Sequence, residues 1–187
     1  MIRHLIVSGM SGSGKSTLIS MLIKKYPDVF QLSVSYTTRN KRDNETDGVH
    51  YHFITNENFS KMIQENQFIE YTLYNQNYYG TPFLEKSSKV IIYDVDRKGI
   101  RNLKRKLEGK FVFIYCKKDE IRRRIIERYG RALTNYEKED VERRIAYYDN
   151  DIKYFKDGNY DIGIENDNLE SAFKVFEEFV LKEIIKK

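Results

Sequence analysis

Two periods alternate along the chain. Short runs of consecutive apolar residues, Leu5-Ile6-Val7 first among them, read as strands buried on both faces. Between them apolar positions recur at three- and four-residue spacing, as on one face of a helix. The core pattern predicts strands over 5–7, 89–94, 110–116 and 160–164, and helices over 17–26, 96–107, 119–128 and 136–155. A last amphipathic helix carries Leu169, Phe173, Phe176, Val180 and Ile184 on one side, behind Asn168 as its cap. From Leu32 to Thr81 the texture changes to short strands, at 32–35, 51–54, 68–71 and 78–79, broken by polar turns and one helix over 58–65. Strands alternating with helices predict an α/β fold with a parallel sheet, and the short strands predict a small excursion of antiparallel character set into it.

Length and composition narrow this picture. The chain has 187 residues, 40% hydrophobic and 33% charged, which fits one domain with a full core and a highly charged surface. No apolar run approaches the length of a bilayer span, so no membrane partner is expected. Met1-Ile2-Arg3-His4 leads directly into the first strand, with no room for a leader, and the only cysteine, Cys116, closes an apolar run as a passive strand residue. Both point to a reducing, cytoplasmic setting. The net charge of +5 is spread among acids rather than gathered in a tail, so small anionic substrates explain it and nucleic acid is not expected.

Chemistry enters at Gly9-Met10-Ser11-Gly12-Ser13-Gly14-Lys15-Ser16, the pattern G-x-x-x-x-G-K-[ST] between a strand and a helix. Its glycines let backbone N–H groups wrap a phosphate, and the following helix adds its positive dipole end. Lys15 is placed for the β and γ oxygens of a nucleoside triphosphate, and the Ser16 hydroxyl for Mg²⁺. Gly9, Ser11, Gly12, Ser13, Gly14 and Thr17 complete this site. At the end of a neighbouring strand, where ligands of open α/β sheets sit, Asp94 and Asp96 flank Val95. Either is able to orient metal-bound water (Asp94 is our choice) or touch a substrate, or one simply caps the next helix.

The excursion holds Arg39, Arg42, Tyr51, Glu70, Tyr79 and small hydroxyls, including Ser35 and Thr81. Paired arginines and tyrosines suit a monoester phosphate, and a carboxylate accepts the two N–H donors on the Watson–Crick edge of guanine. These stretches, Ser33-Val34-Ser35 with Thr37-Thr38-Arg39 and Arg42, Gly48 with Tyr51 and Phe53, Phe68-Ile69-Glu70, Tyr78-Tyr79-Gly80-Thr81, and Asp94 with Asp96 and Gly99, strongly resemble guanylate kinase.

The resemblance covers nearly the whole chain. It implies a P-loop NTPase-type parallel sheet core flanked by helices, an inserted mixed-β subdomain for GMP, and a helical lid. The corresponding segments are core at 1–31, GMP-binding subdomain at 32–84, core at 85–126, lid at 127–144 and core at 145–187. It implies transfer of the γ-phosphoryl group of ATP to GMP, and dGMP, with Mg²⁺, in purine nucleotide metabolism, by a monomer or homodimer. By resemblance Arg39, Arg42, Tyr51 and Tyr79 hold the GMP phosphate, Ser35, Glu70 and Thr81 read guanine, and Asp94 and Asp96 lie close by. Arg128, Arg131 and Arg144 are the lid arginines, and Asn166-Asp167 lies near the adenine.

The chain departs from the family in having Lys41 between the two arginines, and Asn44, able to take positive φ, before the acid. A shorter stretch between Thr81 and Val90 should trim a helix, and the lid is longer. His50 and His52 share a strand face without further ligands and read as surface residues. Two other readings remain open: a same-fold kinase acting on another small phosphate ester or nucleotide, and a non-catalytic module that binds phosphorylated peptides.

Overall fold

The computed structural model describes residues 4–43, 45–74, 76–83 and 87–185. The chain begins with β1 (His4–Gly9), α1 (Lys15–Lys25), β2 (Phe30–Leu32), β3 (Tyr36–Thr37), β4 (His52–Phe53), α2 (Asn56–Gln64), β5 (Phe68–Tyr74) and β6 (Asn77–Pro82). It continues through β7 (Val90–Val95), α3 (Arg97–Leu103), β8 (Lys110–Tyr115), α4 (Lys118–Glu127), α5 (Asn135–Ala146), α6 (Tyr148–Lys156), β9 (Ile162–Glu165) and α7 (Leu169–Val180).

The main sheet runs β2-β7-β1-β8-β9, every neighbouring pair parallel. Leu5, Ile6 and Val7 of β1 are fully buried, because helices cover both faces of a parallel sheet. On one face Leu18 and Leu22 of α1 and Phe176 and Val180 of α7 close over Leu5, Val7 and Val112. On the other, Ile100 and Leu103 of α3 meet Ile6 and Tyr93. A third cluster joins Phe113 and Cys116 to Ile121, Ile125, Val141 and Ile145, fixing α4 and α5 beyond β8. β1 sits between β7 and β8, with Ser8 beside Val95 and Gly9 beside Ile114. β1 connects through α1 toward β2 on one side while β8 connects toward β9 on the other, so the carboxyl ends of β1 and β8 mark the place where ligands of open α/β sheets bind.

The second sheet runs β4-β3-β6-β5. β5 and β6 form a hairpin and β3 joins it antiparallel, while β3 and β4 pair in parallel, so the excursion is mixed. α2 lays Phe59 on this sheet, stacked on Phe68 at 4.6 Å and on Tyr78 at 5.2 Å. Gly80 lies beneath that stack. A Cβ there would come within 2.6 Å of the Phe68 ring and 2.8 Å of the Phe59 ring.

Three local expectations are corrected. The strand expected over 32–35 instead ends in the main sheet: Phe30–Leu32 pair with β7, Ser33 still donates to the Ile92 carbonyl at 2.8 Å, and the small sheet starts at Tyr36. The buried apolar Phe30 decides this, tying the chain to the core one strand longer. The helix expected over 136–155 breaks at Tyr147, whose ring lies 5.7 Å from Tyr74 of the hairpin. The helix expected over 96–107 ends at Leu103, followed by turn hydrogen bonds as far as Leu107. The last helix closes in a π turn at Leu181–Ile185. The expectations for Met1-Ile2-Arg3, Asn44 and the helix trimmed around Leu84-Glu85-Lys86 lie outside the described residues. Among those described, no helix is long and apolar enough to cross a membrane.

Candidate active site

The loop after β1 is held from behind. Gly12 and Gly14 take φ of 88° and 84°, the left-handed region that disfavours side chains. Asn166 donates its amide to the Ser13 carbonyl at 2.7 Å, and a Cβ on Gly14 would fall 2.3 Å from that amide nitrogen. Gly14 caps α1 without any side-chain bond, so the first N–H groups of the helix stay open toward the loop. Asp94, at the end of β7, accepts Lys15 Nζ on Oδ1 at 2.6 Å and Ser16 Oγ on Oδ2 at 3.1 Å. Thr17 follows on α1 with its side chain exposed. The Ser11 hydroxyl accepts Arg144 Nη1 at 3.1 Å.

The excursion gathers a second set of polar side chains. Glu70 is buried; Thr81 Oγ1 donates to its Oε1 at 2.5 Å, while Oε2 is buried without a partner. Burial pushes its carboxyl up to about 7 and the charge of Asp96 adds to this, while Thr81, the Asn102 side chain and the charge of Lys106 oppose it. Ser35 is also buried, its carbonyl accepting the N–H of His52. Asp96 caps α3, accepting Gly99 N–H at 2.7 Å on Oδ1, and takes the Thr72 hydroxyl on Oδ2 at 3.3 Å. Thus Asp94 turns to the loop after β1 and Asp96 to the excursion.

Arg39 lies 5.5 Å from the Tyr51 ring centroid and 5.4 Å from that of Phe53, and Tyr51 meets Tyr79 edge-on at 5.9 Å. Its guanidinium is paired twice with Glu45, at 2.8 and 2.9 Å. Burial, followed by the charge of Asp94, raises the Tyr51 hydroxyl well above its ordinary value.

Arg42, Arg128 and Arg144 bear on one another through their charges. Desolvation by the surrounding protein and then the charges of Arg39 and Arg144, opposed by Glu45, lower Arg42, although its side chain is 43% exposed. Desolvation by the surrounding protein, then Arg42, Arg144 and Arg124, lower Arg128, although its side chain is solvent-exposed. Arg144 is held by Asp140, its Nε 2.7 Å from Oδ2. Arg131 is not brought to this group. It donates to Glu137 at 2.7 and 3.0 Å, within the capping box that Glu137 makes with Thr134 at the start of α5.

At the ends of β8 and β9, Asp167 accepts Lys117 N–H at 3.1 Å and Lys117 Nζ at 2.9 Å. With Asp119, Glu120 and Arg123 these two residues line a cleft of about 450 Å³. A second cleft of about 350 Å³ lies between the small sheet and the α5–α6 junction, lined by Tyr74, Arg143, Arg144, Ala146, Tyr147 and Asn150.

Sequence reasoning missed four residues here. Glu45 joins Arg39 to the Arg42 backbone, and its only signal was its spacing of three from Arg42. Asp140 holds Arg144 at helical i,i+4 spacing, which was open to view. Arg124 is set by Glu120, also at i,i+4, and donates to the Asn166 carbonyl at 2.8 Å. Thr72 bonds Asp96 across two elements and left no local signal.

For Mg²⁺ the donor set is a hydroxyl, Ser16, and a carboxylate, Asp94, both hard oxygens that meet at 3.1 Å. Among the described residues no cluster of three acidic, histidine or cysteine side chains forms a cage. That fits an ion held mainly by nucleotide phosphates and water, as Mg²⁺ prefers.

A sequence model of the family "Guanylate kinase" matches residues 1–183. A guanylate kinase of Clostridium perfringens (strain SM101 / Type A) is 38% identical over 186 residues, covering 96% of this chain and 82% of that protein. One from Schizosaccharomyces pombe is 35% identical over 192 residues, covering 97% of this chain and 92% of its own length. The crystal structure of guanylate kinase from Anaplasma phagocytophilum superposes with a TM-score of 0.75 at 21% identity, covering 97% of this chain and 86% of that one, a likeness of fold. With its phosphate loop and its excursion, the chain belongs to the guanylate kinase family.

Proposed function

We propose that the protein transfers the γ-phosphoryl group of ATP to GMP, giving ADP and GDP, with Mg²⁺ accompanying ATP. The observation that carries this reading is the end of β7: Asp94 bonds Lys15 and Ser16 of the loop after β1, and two residues on Asp96 accepts the Thr72 hydroxyl of the excursion. A donor loop and an acceptor pocket thus meet at the two acids that close β7.

Phosphoryl transfer asks for positioning and charge neutralisation rather than covalent chemistry. Lys15 leaves Asp94 for the β and γ oxygens of the donor, and the loop amides cradle the same phosphates. Ser16, with Asp94 through water, would hold Mg²⁺, which when bound neutralises charge on those phosphates. Arg39, Arg42, Tyr51 and Tyr79 grip the acceptor phosphate, whose oxygen is already an anion near neutral pH and needs no general base. Arg128 and Arg144 balance the charge that spreads over the transferred group. Their mutual repulsion in the substrate-free cleft favours an incoming anion. Arg131 joins them only after leaving Glu137.

Glu70 selects the base. Its unpartnered Oε2 and its bonded Oε1 accept guanine N1–H and the 2-amino group, which adenine lacks; Ser35 and Thr81 complete the pocket. Asn166 and Asp167 border the nucleoside end of the donor, beside the cleft at Lys117. The segment 127–144, from the end of α4 into α5, then acts as the lid over both substrates.

The test is identification of the product. Incubation with ATP labelled at the γ position and GMP should yield GDP labelled on its terminal phosphate. Label released only as inorganic phosphate would refute the transfer.

A further inference from the structure

Arg39 has five N–H groups, and their partners sort them by direction. Nη1 gives one hydrogen to the Asn40 carbonyl at 2.7 Å and one to Glu45 Oε2 at 2.9 Å. Nη2 gives one to Glu45 Oε1 at 2.8 Å. Among the described residues, Nε–H and the second Nη2–H take no protein partner. Nη1 is the nitrogen on the same side as Cδ, so these two remaining hydrogens lie along the other edge. They point the same way, as a fork for two oxygens of one phosphate.

Glu45 is itself well fixed. Its side chain is 9% exposed, Oε2 also accepts the Arg42 N–H at 2.9 Å, and Arg42 Nη1 stands 3.6 Å from Oε1. These arginines hold its carboxyl below the usual carboxylate range against the opposing effect of burial, so it stays ionised at neutral pH. The rings of Tyr51 and Phe53 flank the same guanidinium. Glu45 therefore binds the end-on fork of Arg39 and competes for none of the hydrogens on its side-on fork.

We infer that Glu45 is a positioning residue for the acceptor: by holding the end-on fork of Arg39, it turns the side-on fork toward the phosphate of GMP. This rests on the GMP reading above and adds to it a residue that touches no substrate. Glu45 acts through Arg39, so its worth depends on Arg39 being present.

A double-mutant cycle tests this. GMP and ATP are titrated calorimetrically into wild type, Glu45→Gln, Arg39→Ala and the double variant. Glu45→Gln should weaken GMP by about ten- to hundredfold, the range of a lost charge-assisted pair, and leave ATP within about twofold. In the Arg39→Ala background the same change should cost GMP affinity almost nothing. Equal losses in both backgrounds, or GMP affinity unchanged by Glu45→Gln alone, would overturn the assignment.

NMR of the Arg39 guanidinium in substrate-free wild type gives a readout that requires no variant to fold. Slow rotation about its Cζ–Nη bonds supports the clamp, and fast rotation overturns it. Wild type that ignores GMP but binds inorganic phosphate with the same Glu45–Arg39 coupling would sink the guanine reading and keep the Glu45 assignment.

Discussion

Glu70 carries opposite demands in the free and the bound protein. Buried beside Asp96 without substrate, it keeps its proton up to about pH 7, whereas an unfolded glutamate loses it near 4.3. The folded state therefore binds more protons across that interval, and stability falls as pH rises from about 4 to about 7, by roughly 3 kcal/mol in all. Denaturant unfolding between pH 5 and 8 should show this slope in wild type and a flatter one in Glu70→Gln. Guanine needs the ionised form, so GMP affinity should rise with pH through 7 in wild type. Glu70→Gln should lose preference for GMP over AMP and that part of the pH profile, with ATP affinity unchanged. Undiminished preference would remove Glu70 as the reader of the base. Glu70 was legible in the chain only through the resemblance of Phe68-Ile69-Glu70 to guanylate kinase and because a carboxylate suits the two donors of guanine, not from its place on a strand. Its missing partner at Oε2 was not legible, since that depends on the geometry of Thr81 and Asp96.

Elements set these residues by simple means. Gly14 joins strand to helix with positive φ and stands against Asn166, so Gly14→Ala must move either the loop or the brace. Its expected effect is loss of ATP binding by tenfold or more, with GMP binding retained; equal loss of both by calorimetry would mean the loop supports the whole fold. Helix α5, which enters the proposed lid, begins with the Thr134–Glu137 capping box, and Arg131 holds Glu137 down to about 2. Thr134→Ala should lower Tm by about 2–4 °C. No change in the melt would show that the cap adds nothing in this context. The core strands were legible as unbroken apolar runs, because both faces of a parallel sheet are covered. The break at Tyr147 was not: neither proline nor glycine marks it, and the Tyr74 ring it meets is distant in sequence.

At the scale of the molecule, the two sheets meet at the acids that close β7. The short strands of the excursion were legible as texture but not as pairing, since the parallel β3–β4 contact joins segments a polar loop apart. Placement of the arginines depended on that assembly: Arg144 reaches Ser11 across 133 positions of chain. With Lys15 in the proposed donor half, Lys15→Ala should abolish transfer while GMP still binds. A variant that lost GMP binding equally would contradict this division.

The most direct measurement is ADP release from ATP-Mg²⁺ in the presence of GMP, dGMP, AMP, CMP, UMP or ribose 5-phosphate in turn. Fast release with GMP and dGMP, and background with the others, is the expected result. Fast release with a non-guanine acceptor alone, or none with any acceptor, would contradict it.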